Sequence, residues 1–187
     1  MDGAYRVLDL KTNRCDRHYV EYLLFSATNT GISIGSGSHD GTVRDCQSNV
    51  SQLWDNRFTD RNYWLNTVGT AAIINYLNGH FTGYEISDAV NQTFFMNFVY
   101  GANVGLKING SADAAIIGQG VDYTFCALDI ANNANVRLFE SQLSCSSGSS
   151  VAIKTEKDFS GNLRLYNTAI WACRKNAMEL NGGNTAA

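Results

Sequence analysis

The sequence predicts an all-β chain wound as a parallel β-solenoid of about seven coils, with a short N-terminal cap. Three observations carry this expectation. A five-residue unit of the form small, apolar, variable, apolar, small-or-polar recurs along the chain. Its apolar positions alternate, as they do in a strand with one face turned inward. The intervening turns are built from Gly, Asn and Ser rather than Pro, with 17 Gly and 0 Pro in 187 residues.

The units run in order as Gly31-Ile32-Ser33-Ile34-Gly35, Gly83-Tyr84-Glu85-Ile86-Ser87, Gly105-Leu106-Lys107-Ile108-Asn109 and Ala127-Leu128-Asp129-Ile130-Ala131. Two more follow, Ala152-Ile153-Lys154-Thr155-Glu156 and Ala177-Met178-Glu179-Leu180-Asn181. Asn62-Tyr63-Trp64-Leu65-Asn66 is a weaker member placed by position. The first apolar residues fall at 32, 63, 84, 106, 128, 153 and 178, in steps of 31, 21, 22, 22, 25 and 25. A second series lies between them: Ile73-Ile74-Asn75-Tyr76-Leu77 matches Phe95-Met96-Asn97-Phe98-Val99, and Val43-Arg44-Asp45, Val136-Arg137-Leu138 and Leu163-Arg164-Leu165 match one another. Each repeat therefore holds at least two short strands. Helical repeats and the Leu-x-x-Leu-x-Leu pattern of leucine-rich repeats are excluded, which leaves one coil per repeat and a rod roughly 30 Å long at the spacing of stacked strands.

Residues 1–28 fall outside the repeat and are read as an N-terminal arm or cap, with 29–187 as the solenoid domain. Gly3–Thr12 is expected to form a strand or β-arm. Arg14–Phe25 is expected as a short amphipathic helix over the open end, where edge groups otherwise lack partners. The C-terminal NGGNTAA follows the last unit without a capping pattern, so either another chain covers that end or the sequence is a piece of a longer protein.

Composition narrows the function classes. Lys and Arg number 14 against 17 Asp and Glu, a formal charge of −3, which argues against nucleic-acid binding by phosphate neutralisation. No apolar run reaches the about 18 residues of a membrane span, and the first residues lack the apolar core of a signal peptide. The 5 Cys show no metal-ligand spacing and are read mostly as buried thiols. His18, His39 and His80 are read as turn or surface residues, and neither metal nor cofactor is implied.

The repeat resembles the right-handed parallel β-helix of the pectate-lyase-like superfamily over residues 29–183. Stacked Asn at a bend is common there, and Asn75, Asn97, Gln119, Glu140 and Asn167 are the equivalents here. The motifs of its best-known enzymes are missing. There is no Pro-containing Arg motif of a pectate lyase, and of the polygalacturonase elements only Gly79-His80 remains, followed by Phe81. The free Cys, the Gly/Asn/Ser turns and the open C-terminal end resemble trimeric phage tailspikes. That resemblance implies recognition of a polysaccharide, a homotrimer, and a virion or extracellular setting. If the chain is an enzyme, the resemblance implies a glycoside hydrolase or polysaccharide lyase. The competing readings are a non-catalytic structural or adhesive rod, and a fragment of a secreted lyase or glycosidase.

Candidate sites follow from the columns that stacked coils create. Between the two inward columns runs an outward one: Ser33, Trp64, Glu85, Lys107, Asp129, Lys154, Glu179. Its alternating charge from Glu85 onward is either a self-neutralised face that fixes register or a polar floor for a sugar chain, with Lys107 and Asp129 as ligand contacts. Residues 49–61 read as an inserted loop carrying Trp54, Asp55, Arg57 and Asp60, and insertions in solenoids often bind. Trp54, Trp64 and Arg57 are the expected sugar contacts, unless the aromatics fold back as cover. Glycoside hydrolysis needs two carboxylates about 5–10 Å apart; Asp55 and Asp60, with Glu85 nearby, are the candidates. Asp40 and Asp45, close to His39, are a lesser option.

Overall fold

In the computed structural model, which describes residues 2–50, 69–145 and 150–182, the chain is a parallel β-helix of about 6 turns, consistent with the right-handed form. Strand β1 (Asp2–Leu10) precedes the coils. The first coil is β2 (Tyr19–Glu21) and β3 (Leu24–Ile34), and the second begins with β4 (Thr42–Arg44) and β5 (Gln47–Asn49). Helix α1 (Thr70–His80) then leads into β6 (Thr82–Ser87), which completes the second coil. Three strands make each later coil: β7 (Gln92–Phe95), β8 (Phe98–Tyr100) and β9 (Val104–Asn109); then β10 (Asp113–Ile117), β11 (Gly120–Asp122) and β12 (Cys126–Ile130). The last two are β13 (Asn135–Phe139), β14 (Gln142–Ser144) and β15 (Val151–Thr155), then β16 (Asn162–Tyr166), β17 (Ala169–Trp171) and β18 (Asn176–Leu180).

These strands stack as three faces. The front face runs from β1 through the second half of β3, β6, β9, β12 and β15 to β18. The second face is β2-β4-β7-β10-β13-β16, and the third is the start of β3 followed by β5, β8, β11, β14 and β17. Every pairing is parallel, and β3 serves two faces because Leu24 and Phe25 pair with β5 while Thr30 to Ile34 pair with β6.

The bend from the second face to the third bears on the missing Pro. At each coil one residue takes the left-handed conformation: Tyr22, Asp45, Met96, Gly118, Glu140 and Asn167, with φ of 54°, 51°, 53°, 64°, 49° and 47°. The ladder does not break there. Asp45 N donates to Phe95 O (3.0 Å), Met96 N to Ile117 O (2.8 Å), Gly118 N to Phe139 O (2.9 Å) and Glu140 N to Tyr166 O (3.0 Å). A proline in such a ladder would remove a donor.

The inward columns form the core. Ile32, Tyr84, Leu106, Leu128 and Ile153 are buried, as are Ile34, Ile86, Ile108, Ile130 and Thr155. Thr155, the polar exception, accepts the Asn181 backbone N–H on its hydroxyl (2.9 Å). Tyr84 keeps its ring between Phe25 and Phe94, edge-on at 5.9 and 5.6 Å, and donates its hydroxyl to Cys46 O (3.0 Å). Both columns open at the last rung, where Met178 and Leu180 are each 44% exposed.

Several expectations are corrected. The interval from Ile32 to Tyr84 is one coil rather than two, because Ile32 pairs directly with Tyr84 and Ser33 with Glu85. The described front column therefore passes directly from Ser33 to Glu85, and Asn62–Asn66, with Trp64, lies outside the described residues. Residues 73–77 lie in α1 and not in a strand. Ala71 and Ala72 favour helix, and Ile73 and Leu77, four apart, are buried on one side while Tyr76 is exposed. Arg14–Phe25 is not a helix either: Tyr19, Val20 and Glu21 find ladder partners in Thr42, Val43 and Arg44. The stacked-amide column also divides. Asn75 is on the helix, Glu140 and Asn167 share the left-handed column, and Asn97 and Gln119 occupy the next position. There Asn97 closes the turn from inside, accepting from Cys46 N and donating to Val43 O, both at 2.9 Å.

Candidate functional site

On the front face, strand alternation turns one residue per rung outward, and parallel register stacks these residues directly. The column reads Asp9, Ser33, Glu85, Lys107, Asp129, Lys154, Glu179. Lys107, Asp129, Lys154 and Glu179 form the floor of an open groove of about 700 Å³. Its rim comes from the turns that follow the front strands: Asn109, Asn132, Glu156, Lys157, Asp158 and Asn181. The rim is ordered by its own bonds, with Asn132 donating to Asp158 (2.7 Å) and accepting Gly110 N (3.0 Å), and Asn181 donating to Thr155 O (3.0 Å).

The charges are not equally committed. Lys154 is bonded to Glu156, and Lys175 holds Glu179 at 3.0 Å, which draws the Glu179 carboxyl below its usual pKa. Lys107 makes no ion pair within 4.0 Å among the described residues. Asp129 is half-buried, and its Oδ1 has no hydrogen-bond partner. Burial, and then the negative charge of Glu156, push the Asp129 carboxyl upward, while Lys154 and Lys107 act against the shift. The groove thus offers cations, carboxylates and amides side by side, a lining suited to a hydroxyl-rich ligand.

Of the residues expected from sequence, Lys107 and Asp129 are brought together here. Glu85 lies one rung away in the same column and outside the groove lining, held by Lys11 Nζ at 2.7 Å. Trp54, Asp55, Arg57, Asp60 and Trp64 lie outside the described residues. Asp40 accepts from Asn91 (2.6 Å), and Asp45 is bound by Arg44 (2.8 Å) at the bend. His18 bonds Cys15 O (2.8 Å) and His80 bonds Tyr76 O (2.8 Å). Among the described residues no three His, Cys, Asp or Glu side chains converge as a metal site. The described Cys are free thiols; Cys46 and Cys145 are buried, and Cys15, Cys126 and Cys173 half-buried.

The rim residues Lys157 and Asp158 escaped the column analysis because they sit in a turn, where the repeat pattern stops, and Glu156, which closes a repeat unit, was assigned to no column. A signal was present. Six residues separate Thr155 from Asn162, against four between Ile130 and Asn135, so this turn is longer than its neighbour. No protein-family model matches the chain, and no curated protein or solved structure shows significant similarity to it.

Proposed function

We propose that this β-helix recognises a polysaccharide laid along its front groove, in the manner of the pectate-lyase-like superfamily and phage tailspikes, at a virion surface or outside the cell. The observation that carries the reading is the groove itself. An open polar channel of about 700 Å³ crosses successive rungs, and its floor includes Lys107 with no ion-pair partner among the described residues and Asp129 with an orphan oxygen. Sugars present a dense array of hydroxyls, and such mixed donors and acceptors satisfy them. A homotrimer is part of the proposal, since long grooves in tailspike-like assemblies lie along and between subunits. Light scattering would then return three times 20.5 kDa.

The test is binding of the intact protein to a set of immobilised capsular and O-antigen polysaccharides, beside the Lys107→Gln/Asp129→Asn double variant. The proposal expects binding of at least one polymer and a loss of tenfold or more in the variant. Equal binding by the variant would remove the groove from the reading.

A second reading, a structural or adhesive rod without ligand, is favoured by the way the face neutralises itself. Lys11 pairs with Glu85, Lys154 with Glu156 and Lys175 with Glu179. This reading expects no binding to any polymer.

A further inference from the structure

The second face carries a separate feature. Its outward residues stack in three neighbouring columns at the C-terminal end: Asn135 on Asn162, Arg137 on Arg164, and Phe139 on Tyr166. Together they span about 13 Å along the strand direction.

Each column has a distinct chemistry. Asn162 donates to Asn135 Oδ1 at 2.8 Å. The Phe139 and Tyr166 rings lie parallel, with centroids 4.7 Å apart and planes 6° from one another, and Tyr166 is 46% exposed. Between them, the two arginines occupy directly paired positions on adjacent strands, whose backbones lie about 5 Å apart, where like charges oppose folding. Among the described residues one carboxylate answers them: Asp113 binds Arg137 at 2.7 Å. Arg164 has no ion-pair partner among the described residues, and Arg137 Nε has no hydrogen-bond partner. Asp113, Asn135, Arg137, Asn162 and Arg164 line a hollow of about 220 Å³, so its wall carries one positive charge in excess.

We infer that this hollow is a second binding site, for a carboxylate-bearing sugar chain, with the carboxylate held by Arg137 and Arg164. A guanidinium fork matches a planar carboxylate in two-point contact, and a single negative charge balances the one excess positive charge. The amides of Asn135 and Asn162 take sugar hydroxyls. The stacked Phe139 and Tyr166 rings stand in the neighbouring column, where the exposed Tyr166 offers an apolar surface to the chain as it leaves the hollow. The site does not rest on the front groove, which lies on another face and shares none of these residues.

The experiment uses the intact protein and a hyaluronan octasaccharide, in which glucuronate alternates with a neutral amide sugar, followed by calorimetry at about 150 mM salt. The same oligosaccharide with its carboxylates methyl-esterified, dextran sulfate of matched charge density, and the variants Arg164→Gln and Lys107→Gln complete the set. The expected result is binding of the acid form, a loss of at least tenfold on esterification, a similar loss in Arg164→Gln, and unchanged binding in Lys107→Gln. Arg164 is exposed at the rung edge, so Arg164→Gln keeps its melting temperature or raises it. No binding of the acid form, equal binding of the ester, equal or tighter binding of dextran sulfate, or full affinity in Arg164→Gln overturns the proposal. Loss of binding in Lys107→Gln moves the ligand to the front groove and overturns it as well.

Discussion

Replacing Asp9 with Asn should destabilise the protein by about 1–2 kcal/mol at neutral pH and by much less in acid. Asp9 stands near the end of β1, at the head of the front column, and its two oxygens gather four donors. Lys11 N (2.9 Å) and Ser33 Oγ (3.0 Å) bond Oδ1, and the Arg6 guanidinium (2.9 Å) and Thr12 Oγ1 (3.2 Å) bond Oδ2. These bonds, the Lys11 backbone N–H foremost, lower the Asp9 carboxyl from 3.8 to about 2, with partial burial opposing them. A shift of that size corresponds to about 2.4 kcal/mol if unscreened. A quarter of the side chain is exposed (25%), so solvent reduces this to about half or somewhat more, and asparagine retains one accepting oxygen. Because the folded carboxyl is the more acidic, its stabilisation is fully present above the unfolded value near 4 and is lost as pH falls through about 2. About half is gone by pH 3. Urea unfolding of both proteins, followed by circular dichroism at pH 7 and pH 3, measures the difference. A destabilisation equal at the two pH values would refute the electrostatic argument and leave the geometry of β1 as the cause.

Further outcomes follow from the same columns and core. Asp129→Lys places three cations in consecutive rungs and should destabilise more at low salt than at high salt by about 1 kcal/mol; equal losses in denaturant titrations would remove the ladder argument. In the opposite direction, the Asp129 carboxyl is raised by burial and by Glu156, so its charged form opposes folding above the folded pKa. Relative to Asp129→Asn, the wild type should therefore gain stability as pH falls through that raised value, again read by urea titration. Burial pushes the Cys145 thiol up to about 12 and raises Cys126 as well. Brief maleimide labelling of the native protein at pH 7, read by mass spectrometry, should spare both and modify them only in denaturant.

How much of this was legible in the sequence follows from what repeats and what does not. Ile32, Leu106, Leu128 and Ile153 announce themselves because a core column must stay apolar at every rung. The outward series from Glu85 to Glu179 follows from the same spacing, and with it Lys107 and Asp129. Even the pairing of Arg137 with Arg164 stood in the matching Val-Arg-Leu and Leu-Arg-Leu triplets. Helix α1 was hidden because Ile73-Ile74-Asn75-Tyr76-Leu77 is too short a run to separate alternation from a four-residue period; two alanines just before it were the better guide. The amide column slipped by one residue because the left-handed bend occupies a position that side-chain similarity does not mark. Met96 and Gly118 share nothing except φ. The groove rim showed only in the length of its turn, for a related reason: turn residues answer to local hydrogen bonds, and each coil solves that problem with different side chains.

The long connection within the second coil has a consequence for how the rod assembles. From the third coil onward each front strand meets its partner 22 or 25 residues away, but Ile32 must find Tyr84 across 52. Closing the longer loop adds about 0.8 kcal/mol of chain entropy to that one step, and in a stack where each coil contacts only its neighbours such a step is where propagation pauses. The later coils form one locally closed segment, and the N-terminal strands form another, since Asp9 meets Ser33 and Tyr19 meets Thr42 over separations as short as those of the later coils. The long connection is the single seam across which these two segments must find each other.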